Sequence, residues 1–372
     1  MLNPGKKKIR VLVADDSAFM CKVLQEIINA DPGMEVAGQA RDGRAAVMMA
    51  ESLHPDVITM DINMPHLDGL QATELIMSQN PRPIVIVSSE SREGADSTLR
   101  ALQLGAIDFV PKPTNGIDLD IRNVREELTR KLKMAAKVRV VRTATRSKLP
   151  APHAPVALPN PIGNAVGAAS AKMSGKVPVV VIAASTGGPA AVMRVVSGLP
   201  RNLQAAVILV LHMPATFTAQ LVKQLAEIAQ LPVKEAEANE TVQAGTVYLC
   251  PGSSHLRLTA LGRVALDDGQ RIDGYLPCAD VALDSAAAYA RANTVGVVLT
   301  GMGADASKGI KGIRANGGFV IAQDEATSAI FGMPAEAIKT GAVNEVLPLD
   351  DIAGAIERAV AKIAALTPVG AR

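Results

Sequence analysis

The 372 residues contain no Trp, three Tyr and five Phe, and aromatics make up only 2% of the chain. Any core must therefore be packed from aliphatic side chains. Cysteine is equally sparse. Cys21, Cys250 and Cys278 are odd in number and far apart, which excludes a disulfide framework or a zinc-ligand spacing. The formal charge of +2 shows no excess of either sign. Nucleic-acid proteins usually concentrate basic charge on one face, so nucleic acid is not an expected partner. The opening residues, Met1 to Lys8, are polar and basic and lack the apolar segment of a secretion signal. No apolar run approaches the roughly 18 residues of a membrane span. A cytoplasmic location is the expectation.

Hydrophobic residues make up 48% and charged residues 20%, a globular balance. Single cores rarely grow past about 250–300 residues, so this length predicts two domains or three. Short apolar runs alternate with helical periodicity from the start. Ile9 to Ala14 reads as a buried strand, and Met20, Val23, Leu24, Ile27 and Ile28 share one face of the next helix. Asp56 to Met60, Ile84 to Val87 and Ile107 to Val110 read as further strands, and a helix from Asp120 to Lys137 closes the unit. This alternation predicts a doubly wound parallel α/β sheet with function at the carboxyl ends of its strands.

From Thr143 to Lys176 the periodicity is lost. Five prolines between Pro150 and Pro161, mixed with Ala, Gly and Ser, predict a flexible linker. Its basic leading edge (Arg139, Arg142, Arg146, Lys148) reads as solvated charge. A second set of strands follows at Val177 to Ala183, Ala206 to Leu211, Thr246 to Cys250, Val295 to Thr300 and Phe319 to Ala322. A second α/β unit with a mostly parallel sheet is expected.

Asp15, Asp16, Asp61 and Lys112 each follow a predicted strand, so they converge at one sheet edge. Three crowded carboxylates call for a divalent cation, and all-oxygen ligation favours Mg²⁺. Lys112 would balance a phosphoryl group and Ser88 would donate to it. Taken singly, Asp15–Asp16 could be a helix N-cap and Asp61 a turn residue. In the second unit the strand ending at Ala183 runs into Ala184-Ser185-Thr186-Gly187-Gly188-Pro189. A hydroxyl on a tight strand-to-helix turn suits a nucleophile beside backbone N–H donors. An N-cap or a phosphate cradle competes for the same residues, although no dinucleotide or P-loop fingerprint is present. Of five histidines, His54 ends a helix, His66 follows Asp61 and His153 lies in the linker. His212, at a strand end, is the preferred base; His255 is the runner-up and reads more naturally as a loop or substrate-contact residue. Asp305, after Thr300-Gly301-Met302-Gly303-Ala304, is the carboxylate placed to orient the base.

Val11-Leu12-Val13-Ala14-Asp15-Asp16-Ser17, Asp61-Ile62-Asn63-Met64-Pro65, Asp68-Gly69, Ser88-Ser89 and Phe109-Val110-Pro111-Lys112-Pro113 resemble response-regulator receiver domains. The resemblance implies a flavodoxin-like receiver over residues 7–133 with Asp61 as phosphoacceptor. It implies Mg²⁺ held by Asp16, Asp61 and the Asn63 carbonyl, with Asp15 in support. Ser88 and Lys112 would sense the phosphoryl group, Phe109 would be the aromatic switch, and Lys112–Pro113 is expected to be cis. Ser185-Thr186-Gly187-Gly188, His212-Met213-Pro214, Pro251-Gly252 with His255-Leu256-Arg257-Leu258, Gly301-Met302-Gly303 with Asp305, and Phe331-Gly332-Met333-Pro334 resemble the chemotaxis protein-glutamate methylesterases. That implies a catalytic domain over residues 177–368 behind a linker at 134–176, hydrolysing glutamate γ-methyl esters on chemoreceptors and deamidating receptor glutamines. Ser185 would be nucleophile, His212 base, Asp305 its partner, Met302 N–H an oxyanion donor and Thr186 a support. A chemotaxis-type histidine kinase would supply phosphate, and membrane contact would come only through receptors. The alternative is a non-catalytic regulator whose second domain only binds a partner. Two departures stand out: Ala306 where the family commonly has glycine, and the apolar Leu276-Pro277-Cys278.

Overall fold

The computed structural model describes residues 7–89, 91–112, 118–138 and 176–366, with residues 92, 118–123 and 366 as backbone only. The expected Lys112–Pro113 cis bond lies outside the described residues because Pro113 does. So do His153, the basic stretch and nearly all of the expected linker. The chain divides into two units, Met1–Thr145 and Arg146–Arg372.

The first unit runs β1 (Ile9–Ala14), α1 (Ala18–Asn29), β2 (Met34–Ala40), α2 (Gly43–Leu53), β3 (Val57–Met60), α3 (Gly69–Gln79), β4 (Ile84–Ser88), α4 (Arg92–Gln103), β5 (Asp108–Pro111) and α5 (Asp118–Ala135). The sheet order is β2-β1-β3-β4-β5, parallel throughout. Helices cover both faces of such a sheet, so its inner strands are mostly apolar and buried; Val57 to Met60 are all buried, Thr59 among them. Val11 and Val13 of β1 pack with Leu24 and Ile28 of α1 and Leu128 and Leu132 of α5. Each such side chain contributes roughly 1.5–3 kcal/mol on burial. Ser17 caps α1, its side chain accepting from Met20 N, and Asp68 forms a capping box with Gln71 at α3. The cap of α1 is therefore Ser17, and Asp15 and Asp16 are left for other work.

The second unit runs β6 (Val179–Ala184), α6 (Gly188–Ser197), β7 (Ala206–Leu211), α7 (Ala215–Ile228), β8 (Val233–Glu235), β9 (Val247–Leu249), the antiparallel pair β10 (Ser254–Leu258) and β11 (Val264–Asp268), α8 (Ala279–Ala290), β12 (Thr294–Val298), α9 (Gly309–Ala315), β13 (Phe319–Gln323), α10 (Met333–Lys339), β14 (Glu345–Leu347) and α11 (Leu349–Leu366). Its seven-stranded sheet has the order β14-β13-β12-β6-β7-β9-β8, with every pair parallel. The central β6 and β7 are buried over all six residues each. Here the structure corrects one reading: His255 is not a loop residue but sits on β10, 2% exposed.

Candidate active site and phosphoacceptor cluster

Parallel register brings the predicted residues of the second unit together. Ala184 pairs with Leu211 across β6 and β7, so Ser185 and His212 each follow a paired strand end. His212 N donates to Ala184 O at 3.3 Å, and Ser185 N donates to Thr300 O at 3.1 Å beyond β12. Ser185 is thus held between the ends of its two neighbouring strands. The cap of α6 is Gly187, with no side-chain cap bond, so Ser185 is not an N-cap; it is half-buried. Gly301 lies directly against it, since a Cβ there would stand 2.9 Å from Ser185 Cβ and 2.4 Å from Met333 Sδ. Only glycine permits that approach. Met302 is the next residue, half-buried.

His212 Nε2 lies 2.7 Å from Asp305 Oδ2, and the Asp305 side chain is fully buried. The carboxylate is richly satisfied. Oδ2 also accepts from Ala279 N at 2.6 Å, and Oδ1 accepts from Asp280 N at 2.9 Å, Ala306 N at 3.0 Å and Cys278 Sγ at 3.3 Å. Burial alone would raise its pKa, but the bond and charge of His212 and the N–H groups of Ala279 and Asp280 hold it below the ordinary value. Among the described residues no hydrogen bond joins the Ser185 hydroxyl to the imidazole; the two are strand-end neighbours. Such bonds are often loose without substrate. The departure at Ala306 falls on a φ of 83°, the left-handed region where glycine is the unstrained choice.

Thr300 was missed by the sequence reading. Its Oγ1 donates to Thr186 O at 3.0 Å and accepts from Ile330 N at 2.9 Å, while its N–H donates to buried Gln323 Oε1 at 2.7 Å. Gly301 and Phe331 form a parallel bridge, and Met333 N donates to Gly301 O at 2.8 Å. The Ser-Thr-Gly-Gly, Gly-Met-Gly and Phe-Gly-Met-Pro runs are therefore one hydrogen-bonded frame. A polar residue closing an otherwise apolar strand was the available signal for Thr300.

In the first unit, one oxygen from each of Asp15, Asp16 and Asp61 lies within 4.8 Å of the others. Asp15 and Asp61 are buried at 0% and 4% exposure, while Asp16 and Asn63 are exposed. Lys112 Nζ is 2.9 Å from both Asp15 Oδ2 and Asp61 Oδ2. Burial raises the pKa of Asp61, more than Lys112 lowers it, with Asp15 adding to the rise. Burial would lower Lys112, yet its bonds to Asp61 and Asp15 hold it above the ordinary value. Lys112 N donates to Ser88 O at 2.7 Å, which ties the two expected sensor residues together; Ser88 is buried. Phe109 is 3% exposed, with Lys131 Nζ 5.0 Å from its ring centroid. Three clustered carboxylate oxygens with a balancing ammonium fit a hard divalent cation.

Residues 180–356 match the CheB methylesterase family and residues 11–125 the response regulator receiver domain. The chain is 42% identical over 370 residues to the protein-glutamate methylesterase/protein-glutamine glutaminase of Pyrococcus abyssi, covering 96% of this chain and 95% of that one. The protein of the same name from Pyrococcus horikoshii is 41% identical over 95% and 94% of the two chains. That from Symbiobacterium thermophilum is 44% identical over 95% and 98%. With the receiver in front and near-full-length likeness to such relatives, the chain belongs to the CheB methylesterase family.

Proposed function

We propose that the chain is a phosphorylation-regulated protein-glutamate methylesterase that hydrolyses glutamate γ-methyl esters on chemoreceptors and deamidates particular receptor glutamines. The observation that carries this reading is the strand-end arrangement of Ser185 beside His212, whose Nε2 bonds buried Asp305 at 2.7 Å. With Nε2–H donating to Asp305, Nδ1 is the nitrogen that accepts the Ser185 proton. Ser185 Oγ attacks the ester carbonyl, the imidazolium returns its proton to the departing methoxide, and methanol leaves a γ-glutamyl ester on Ser185. Water, deprotonated by the same nitrogen, then releases the carboxylate. Met302 contributes its N–H to the oxyanion and Thr186 helps position the histidine; their place in the frame around Ser185 supports both roles.

Residues 7–133 act as receiver and 177–368 as catalytic domain, joined by a linker over 134–176 whose first two residues still belong to α5. A histidine kinase phosphorylates Asp61 in the cytoplasm. Asp15, Asp16, Asp61 and the Asn63 carbonyl would hold Mg²⁺, which when bound offsets the negative charge gathered at the phosphoacceptor. Lys112 and Ser88 engage the phosphoryl oxygens, and Phe109 follows as the switch. The test is methanol release from methylated receptor membranes by the full chain, with a small-molecule phosphodonor. Wild type should release methanol and Ser185→Ala should not. Wild-type turnover in Ser185→Ala would overturn the assignment, and receptor binding without methanol release by the wild type would favour a non-catalytic regulator.

A further inference from the structure

The Tyr275 ring stacks on the His212 imidazole, with centroids 4.7 Å apart and planes 23° from parallel. Its presentation is built at three levels. Ile272 and Tyr275 exchange both backbone bonds, at 3.0 and 2.9 Å, around Asp273 and Gly274 at φ of 51° and 88°. Two positive φ values in an Asp-Gly pair are the signature of a tight hairpin turn. The loop carrying that hairpin is then pinned at both ends by one buried ring. His255 Nδ1 accepts from Cys278 N at 3.1 Å and its Nε2 lies 3.1 Å from Gln270 O. Finally, Gly303 leaves room for the phenol. A Cβ at Gly303 would stand 2.1 Å from Tyr275 Oη, and that hydroxyl instead accepts from Ala304 N at 3.4 Å.

We infer that Tyr275 is a positioning residue for the general base: its ring fixes the plane of the His212 imidazole between Ser185 and Asp305, and stabilises the imidazolium as it forms. His255 serves the same end indirectly, as the clamp of the loop. A neutral imidazole gains one aromatic stack from the ring, and the imidazolium gains a cation–π attraction besides. The contact is therefore stronger when the proton has moved than before, which places its effect on kcat and not on KM. The face of the imidazole under the ring is also closed to water.

The inference rests on the esterase reading, so the experiment separates the two. In the full chain, Tyr275→Leu should lower kcat for methanol release about tenfold with KM within about twofold of wild type. Tyr275→Phe keeps the stack and should stay within about threefold. Gly303→Ala should lose activity, since its Cβ would meet the Tyr275 hydroxyl and a φ of 92° strains any side chain there. The ring protons of His212, assigned by their loss in His212→Gln, should resonate upfield in wild type and Tyr275→Phe and move downfield in Tyr275→Leu. That readout needs no turnover. Wild-type kcat in Tyr275→Leu, or equal loss in the Phe and Leu variants, would overturn the positioning role while leaving the esterase reading standing. An inactive wild type would overturn the esterase reading, and an unshifted His212 resonance would then overturn the stack on its own.

Discussion

Asp305→Asn is the substitution for which the structure makes the sharpest prediction. An amide matches the carboxylate in size but places a donor where one oxygen was. With the NH₂ at the Oδ2 position it points at Ala279 N–H, 2.6 Å away, and at His212 Nε2. With the NH₂ at the Oδ1 position it faces the N–H groups of Asp280 and Ala306 and the Cys278 thiol. The first orientation strands one backbone donor and the second strands two, so the first is adopted. One buried N–H without a partner, plus the lost charge on three remaining bonds, costs about 3 kcal/mol. The functional loss is larger. The amide now donates to Nε2, so the imidazole proton sits on Nδ1, the nitrogen that receives the proton of Ser185 in the proposed mechanism. The wrong tautomer lowers kcat by about 10³–10⁴. Methanol release gives the rate and a denaturant midpoint gives the stability. The pH dependence has a definite sign. The native Asp305 pKa lies below the ordinary value, so its contribution is complete above about pH 4–5 and is lost as pH falls below the unfolded value toward the native one. The stability gap between wild type and variant should therefore begin to narrow as pH falls through about 4 and keep narrowing below it. Turnover within tenfold of wild type, with less than about 1 kcal/mol of destabilisation, would refute the reasoning.

Asp280→Asn should do the opposite to stability. Burial, with the charges of Asp305 and Asp284, pushes Asp280 up from 3.8 to about 6, against the N–H groups of Gly309 and Lys308. A raised carboxyl is protonated more readily in the native state, so its ionised form weakens the fold above about pH 6. The full gap corresponds to about 3 kcal/mol, and partial solvent access reduces it to about 1.5 kcal/mol. An Asn oxygen can still accept from Gly309 N and Lys308 N, which Asp280 Oδ1 now does at 2.7 and 3.0 Å. The variant should be the more stable at pH 8 and equal to wild type near pH 4; equal midpoints at pH 8 would refute this. Asp61→Asn should abolish phosphoryl incorporation, measured by intact mass, together with stimulation of methanol release by a phosphodonor. Stimulation that survived would show that the switch lies elsewhere.

The strands that carry function were legible because parallel sheets covered on both faces leave continuous apolar runs. Val179–Ala184 and Ala206–Leu211 stand out in the sequence for that reason, and Ser185 and His212 follow them directly. Elements with one wet face or an edge position were harder to see. Neither Met34–Ala40, half-exposed along its length, nor Glu345–Leu347, a three-residue edge strand, has an apolar run. The Ser254–Leu258 strand is hidden by its polar start, so His255 on it reads as a loop residue from sequence alone. Asp305 could be found because Thr-Gly-Met-Gly marks a turn. Its five hydrogen-bond donors could not, since three come from residues 278 to 280, about 25 positions earlier in the chain. Tyr275 carries no sequence signal at all: one tyrosine in a loop acquires meaning only when the hairpin and Gly303 bring it to His212.

Asp61, directly after β3, and Asp305, in the loop beyond β12, are both buried at the carboxyl edge of a parallel sheet, yet their pKa values move in opposite directions. Depth does not distinguish them, for their exposures are 4% and 2%. Their neighbours do. Asp305 faces three backbone N–H groups, a thiol and an imidazole, fixed donors that favour its charge at all times. Asp61 has one such N–H, from Ile62 at 2.8 Å, shares Lys112 with Asp15, and faces the Asp15 charge. A carboxylate saturated with donors is a poor nucleophile and a stable anchor, because each lone pair is committed. One with few fixed donors keeps oxygens available for a cation. Burial at the edge of a parallel sheet therefore leaves a charge held by fixed donors in one domain and a less committed one in the other. The difference lies in how many backbone donors the following turn turns toward it.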